Sequence, residues 1–113
     1  MRKKASLASD LLPGTLEMLI LKSLSRGQAH GYAIARHLEQ TSADVLTVGE
    51  SSLYPALQRL LVNGWVTAEW GETETARRAR FYRLTPAGRK RLAVEAAGFE
   101  RMMGAIAAIM QEG

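Results

Sequence analysis

Residues 50–84 read ESSLYPALQRLLVNGWVTAEWGETETARRARFYRL, and the hydrophobic period changes partway through them. Up to Asn63-Gly64, Leu53, Leu57, Leu60 and Leu61 fall within about a third of a helical wheel, the stripe of a helix that packs on one side. The Asn-Gly pair then makes a good helix stop. From Trp65 onward the period drops to about two residues. WVTAEW (65–70) and RARFYRL (78–84) are rich in aromatic and β-branched residues, and the polar stretch GETETARR joins them. A helix is therefore predicted to run straight into a β-hairpin with a tip longer than the tightest turns. Pro55 is the irregular member of the helix. With Ser51 or Ser52 as N-cap, it lies at or next to the last position whose N–H lacks an intrahelical acceptor, so it removes at most one hydrogen bond.

Upstream, LPGTLEMLILKSLS (12–25) places Leu12, Leu16, Leu19, Ile20 and Leu24 on one stripe, with Pro13 near the start and Arg26-Gly27 at the end. HGYAIARHLEQTS follows as a shorter helix over about 30–41, with Tyr32, Ile34, Ala35 and Leu38 as its apolar side. Ala43 to Gly49 reads as a connector with room for a brief extended stretch. Downstream, Thr85-Pro86 is an N-cap followed by proline at the first helical position, and the last helix extends to about Gln111. The order helix, helix, helix, hairpin, helix predicts a mainly α fold with a two-stranded β-wing. It divides into a flexible arm (1–10), a winged helix-turn-helix (11–84) and a C-terminal helix (85–113).

The chain has 113 residues, enough for one core, and its 47% hydrophobic and 23% charged residues are ordinary for a folded protein. With no cysteine, disulfides, thiolate metal sites and cysteine nucleophiles are excluded, and a reducing compartment fits. The basic start MRKKASLASD lacks the apolar run of a signal peptide, and no stretch approaches the roughly 18 apolar residues of a membrane span. A cytoplasmic protein that meets no membrane is expected. The net charge of +4 is modest but sorted. Between Thr75 and Val94 lie seven basic residues and no acid, and Ser51 to Ala68 is also free of Asp and Glu. Such sorting suits a polyanion partner, with a solvated charged hairpin as the alternative.

In a helix-turn-helix the third helix enters the major groove and its N-terminal residues meet base edges. On the wheel, Ser51, Ser52, Pro55, Gln58 and Arg59 oppose the leucine stripe, and Tyr54 lies on the flank. Short hydroxyls, an amide and an arginine can approach phosphates and bases closely, where acids would be repelled. Arg77, Arg78 and Arg80 occupy the tip and outgoing strand of the hairpin, where a wing meets backbone or minor groove. Alternation puts Tyr82 on the face of Arg78 and Arg80, with Phe81 packed inward. Tyr32 and Arg36 are candidates for phosphate contact.

Leu92, Ala96, Phe99, Met103, Ile106 and Met110 are spaced as a heptad seam, and Ala105, Ala107, Ala108 and Ile109 widen it beyond one narrow contact. This is a candidate homodimer interface; the alternative is that the seam folds back on the first helix. Two copies would place two reading heads about one DNA turn apart. His30 and His37 lack partners in a ligand pattern, no strand-elbow motif frames a serine, and Trp65 and Trp70 read as core or wing-packing aromatics. Neither a metal, a cofactor nor an enzymatic activity is expected.

The chain resembles the PadR-like transcriptional regulators. GTLEMLILKSL (14–24), HGYAIARHLE (30–39), SSLYPALQRLLVNGWV (51–66) and RARFYRLTPAGRKRL (78–92) carry the resemblance. It implies a bacterial winged-helix repressor, homodimeric through its C-terminal helix, with Tyr54 and its serine neighbours at the DNA surface. The short final segment matches the compact branch with a single C-terminal helix. Some members hold aromatic compounds between tryptophans of the dimer helix; this chain has no tryptophan after Tyr82 and departs from that pattern. Two other functions are compatible with the residues. One is a winged-helix module whose basic wing binds an acidic protein. The other is a small-molecule sensor with an effector cavity among Met102, Met103 and Met110.

Overall fold

A computed structural model describes residues 14–112. Its elements are α1 (Thr15–Leu24), β1 (Ala29–His30), α2 (Gly31–Thr41), α3 (Glu50–Val62), β2 (Val66–Glu72), β3 (Arg78–Leu84) and α4 (Pro86–Met110). Leu12, Pro13 and the N-terminal arm lie outside the described residues. The order is the expected one with an addition: β1 pairs antiparallel with β3 through Ala29↔Tyr82 and His30↔Phe81, so the sheet has three strands in the order β1-β3-β2.

The core is built where α1, α2 and α3 meet the base of the hairpin. Ile20, Leu21, Leu24, Ile34, Leu53, Leu57, Leu60 and Val66 are its largest fully buried members. Met18 and Leu21 of α1 are buried although they lie outside the expected stripe, while Leu16 and Leu19 are only part-buried. The reason is position: α1 touches α2, α3, α4 and β3, so it buries more than one face. Tyr32, expected on the apolar side of α2, is instead 67% exposed. The connector 43–49 forms no strand. Ala43 and Asp44 take left-handed φ values of 51° and 64° and turn the chain towards α3.

α3 starts at Glu50 with Gly49 as its N-cap, and the Ser52 and Leu53 N–H groups both donate to the Gly49 carbonyl at 3.1 and 3.0 Å. Neither serine is the cap, so Pro55 sits nearly a turn deeper than expected. It deprives the Ser51 carbonyl of its i+4 donor, on the solvent-exposed side of the helix.

The hairpin register runs from Val66↔Leu84 through Trp70↔Arg80 to Glu72↔Arg78. Its tip, 73–77, is closed by the Thr73 N–H donating to the Arg77 carbonyl at 2.8 Å. Arg78, Arg80 and Tyr82 do share a face, but inside and outside are reversed from expectation. Tyr82 is 4% exposed in the core, whereas Phe81 is part-buried on the other face. The Phe81 ring stands edge-on to His30 with centroids 5.3 Å apart, and it lies where a Cβ on Gly71 would point. The face of Tyr82 becomes an outer face only where the hairpin projects beyond the helices.

α4 is capped as predicted. The Thr85 hydroxyl accepts from the Gly88 N–H at 2.9 Å and donates to the Gly64 carbonyl at 2.8 Å. The first turns pack on α1 and β3, with Leu92 and Ala96 part-buried, but every residue from Phe99 to Glu112 is exposed.

Candidate nucleic-acid interface

α2, the start of α3 and the projecting hairpin enclose an open cleft of about 1780 Å³. His30 caps α2, its Nδ1 accepting from the Ala33 N–H at 3.3 Å, and this first turn lines the cleft. Gly31 follows and is buried. A Cβ there would lie 3.0 Å from the Tyr54 hydroxyl oxygen, so the bare glycine is what lets the Tyr54 ring lie against α2. Tyr54 in turn neighbours Tyr82. Burial pushes the Tyr82 phenol above its ordinary pKa, Arg80 pulls it back, and Tyr54 adds to the rise.

From Tyr82 outward the hairpin carries alternating aromatic and guanidinium groups. The Arg80 guanidinium lies 5.8 Å from the Tyr82 ring centre and 6.0 Å from that of Trp70, and the Arg78 guanidinium lies 4.9 Å from that of Trp70. Trp70 remains 60% exposed. Among the described residues, neither arginine has an ion-pair partner. Arginines outnumber acids in the cleft, with Arg26, Arg36, Arg77, Arg78 and Arg80 against Glu39, Glu50 and Glu74, and the first turn of α2 lines another wall, an arrangement suited to phosphate.

Of the residues expected at the site, Tyr32, Arg36, Tyr54, Arg77, Arg78, Arg80 and Tyr82 line this cleft. Tyr82 does so as a buried support rather than an exposed contact, because its strand position is already inside the core. Ser51, Pro55 and Gln58 lie on the exposed face of α3 just outside the cleft, and Ser52 is part-buried. Arg59 stands apart. Its Nε donates to Glu17 Oε2 at 2.6 Å, and that hydrogen bond and the carboxylate charge raise its pKa further. Arg59 is exposed, as its wheel position opposite the leucines implies, and its side chain is tied to Glu17 of α1. Trp70, read from the sequence as a core or wing-packing aromatic, lines the cleft, as does Glu50, which was not singled out. The signal for Trp70 was its alternation with Val66 and Ala68 on the face paired with Arg80 and Tyr82.

No group of three or more His, Asp or Glu side chains among the described residues is placed to hold a metal. Nor is any described helix long and apolar enough to cross a membrane.

The sequence matches the model of the transcriptional regulator PadR-like family over residues 20–94. Among solved structures it is similar to a transcriptional regulator from Clostridium thermocellum, with 30% identity and a TM-score of 0.79, covering 88% of this chain and 96% of that one. A PadR family transcriptional regulator from Eggerthella lenta is also similar, at 27% identity and a TM-score of 0.74, over 88% and 85% of the two chains. An uncharacterized 37.1 kDa protein in a transposon of Streptomyces fradiae is 41% identical over 90 residues, 80% of this chain; the chain spans only 24% of that relative's length. These relationships place the protein with transcriptional regulators rather than enzymes. The three-helix body, the projecting hairpin and the matched segment agree: the chain belongs to the PadR-like family of transcriptional regulators.

Proposed function

We propose that the protein is a sequence-specific, double-stranded DNA-binding regulator that acts as a homodimeric repressor on a pseudo-palindromic site in the cytoplasm. The observation that carries this reading is the cleft wall of Arg78, Trp70 and Arg80 beside the exposed face of α3. In it, Ser51, Tyr54, Pro55 and Gln58 meet base edges in the major groove, with the part-buried Ser52 behind them. Arg77, Arg78 and Arg80 bind backbone or minor groove, and Tyr32 and Arg36 add phosphate contacts from α2. Arg59 enters as the brace between α3 and α1 rather than as a base reader. The exposed half of α4 joins two copies through Phe99, Met103, Ile106 and Met110, with Leu92 and Ala96 nearer the body.

The test is a gel-shift titration against duplex from upstream of the protein's own gene and against random duplex. Gln58→Ala is expected to lower affinity for the specific duplex alone. Arg78→Ala is expected to lower both and to reduce the slope of log affinity against log salt by about one. Binding that shows neither sequence preference nor salt sensitivity would instead favour a winged-helix module for an acidic protein.

A further inference from the structure

We propose that Trp70 is a positioning residue of the wing: its indole holds the Arg78 and Arg80 guanidiniums extended towards the duplex while their N–H edges stay free for phosphate. This rests on the DNA-binding reading above. Register supplies the geometry. Trp70 pairs directly with Arg80, and Arg78 is two residues further along the same face, so both cations come to one ring at 6.0 and 4.9 Å. The indole is 60% exposed, more than packing of the fold requires of so large an apolar ring.

The arginines have an evident alternative that they do not take. Glu72 is the direct cross-strand partner of Arg78, yet the ion pairs among the described residues are Arg59–Glu17 and Arg91–Glu95. The distinction matters for a phosphate binder. A guanidinium held by a carboxylate is neutralised and must break that pair before it can engage an anion. A guanidinium stacked on an indole keeps its charge and its fork of donors. Stacking also restricts a side chain otherwise rich in rotamers, so less freedom is lost when the duplex docks. Tyr82, fixed in the core, anchors the inner end of the stack beneath Arg80 at 5.8 Å.

The experiment compares wild type, Trp70→Leu and Trp70→Phe in salt-titrated duplex binding, with a double-mutant cycle against Arg78→Ala. Trp70→Leu is expected to weaken specific and random duplex alike by roughly five-fold, with the salt slope retained because the same phosphates are still contacted. Phe should recover part of the loss, and Arg78→Ala should cost less in the Leu background than in wild type. A readout without DNA is the ring-current shift of the Arg78 and Arg80 Nε–H resonances, expected in wild type and abolished by Trp70→Leu. Unshifted resonances in wild type, strictly additive mutations, or an affinity loss explained wholly by lowered Tm each overturn the proposal. Wild-type protein that binds duplex normally alongside an unimpaired Trp70→Leu removes this role alone. Wild type that binds no duplex removes the DNA reading and this role together.

Discussion

Gly88 has no room for a methyl group. A Cβ on it would lie 2.0 Å from the Trp65 backbone carbonyl oxygen, and backbone cannot swing aside as a flexible side-chain end can. Gly88→Ala must therefore separate α4 from the start of the hairpin, and chemical denaturation is expected to show a loss of about 3 kcal/mol, at the upper end of overpacking effects. Tyr82 makes a prediction of a different kind, in pH. Its phenol is held above the ordinary value chiefly by burial, so the folded chain retains a proton that the unfolded chain releases near pH 10. Below about pH 10 both states are protonated and this group contributes no pH dependence. Above it, the unfolded state binds fewer protons, so stability falls as pH rises until the folded phenol also ionises. Urea titrations at about pH 9 and about pH 11 should show this decline in wild type and a smaller one in Tyr82→Phe, once the other tyrosines common to both are subtracted. An identical decline in the two proteins would assign the alkaline loss elsewhere.

At the scale of elements, α4 begins where Thr85 satisfies both an N-terminal N–H and the Gly64 carbonyl that ends α3. Thr85→Ala is expected to lower stability by about 1–2 kcal/mol, measured by urea denaturation; Thr85→Ser, which keeps the hydroxyl, should recover most of it. That cap was legible in the sequence, as were α1 to α4 and the hairpin, because each is written in a run of residues long enough to show a period or a stop signal. β1 was not legible: two residues carry no period, and Ala29-His30 becomes a strand only because β3 passes beside it. The wing arginines were found from composition, but Trp70 as their platform depends on register, which the five residues 73–77 fix only once folded. The partner of Arg59 was hidden for a related reason. A wheel describes one helix alone, and nothing in ESSLYPALQRL discloses that Glu17, 42 residues earlier, stands ready to bind the arginine. Tyr82 was placed on the right face and the wrong side of the surface, since alternation tells which residues share a face but not where a strand leaves the body. Arg59→Ala follows from that ion pair. It should lower Tm slightly, as expected for an exposed ion pair, and leave the ratio of specific to random duplex affinity unchanged.

The whole molecule is a compact head with one long lever. A helix of 25 residues is about 37 Å long, and only its first turns rest on α1 and β3. The remainder exposes Phe99, Met102, Met103, Ile106, Ile109 and Met110, a contiguous apolar surface that a monomer in water has reason to cover. Among the described residues the seam folds back only at its start, where Leu92 and Ala96 are part-buried and α4 touches α1; from Phe99 onward it stays exposed. In the proposed homodimer a second copy covers that surface, and the two α3 helices become one reading device. Met103→Glu with Ile106→Glu places two carboxylates in the middle of the seam, where burial without a partner is strongly unfavourable. Sedimentation analysis is expected to change from dimer to monomer, while Gly88 and the α1 contacts, lying far from the substitutions, keep the head folded. Duplex affinity should then fall by more than ten-fold, since each monomer engages one half-site without the effective concentration the linked partner provides. Dimerisation unaffected by both glutamates would place the interface elsewhere. Monomers that bind a full site as tightly as wild type would separate DNA reading from assembly.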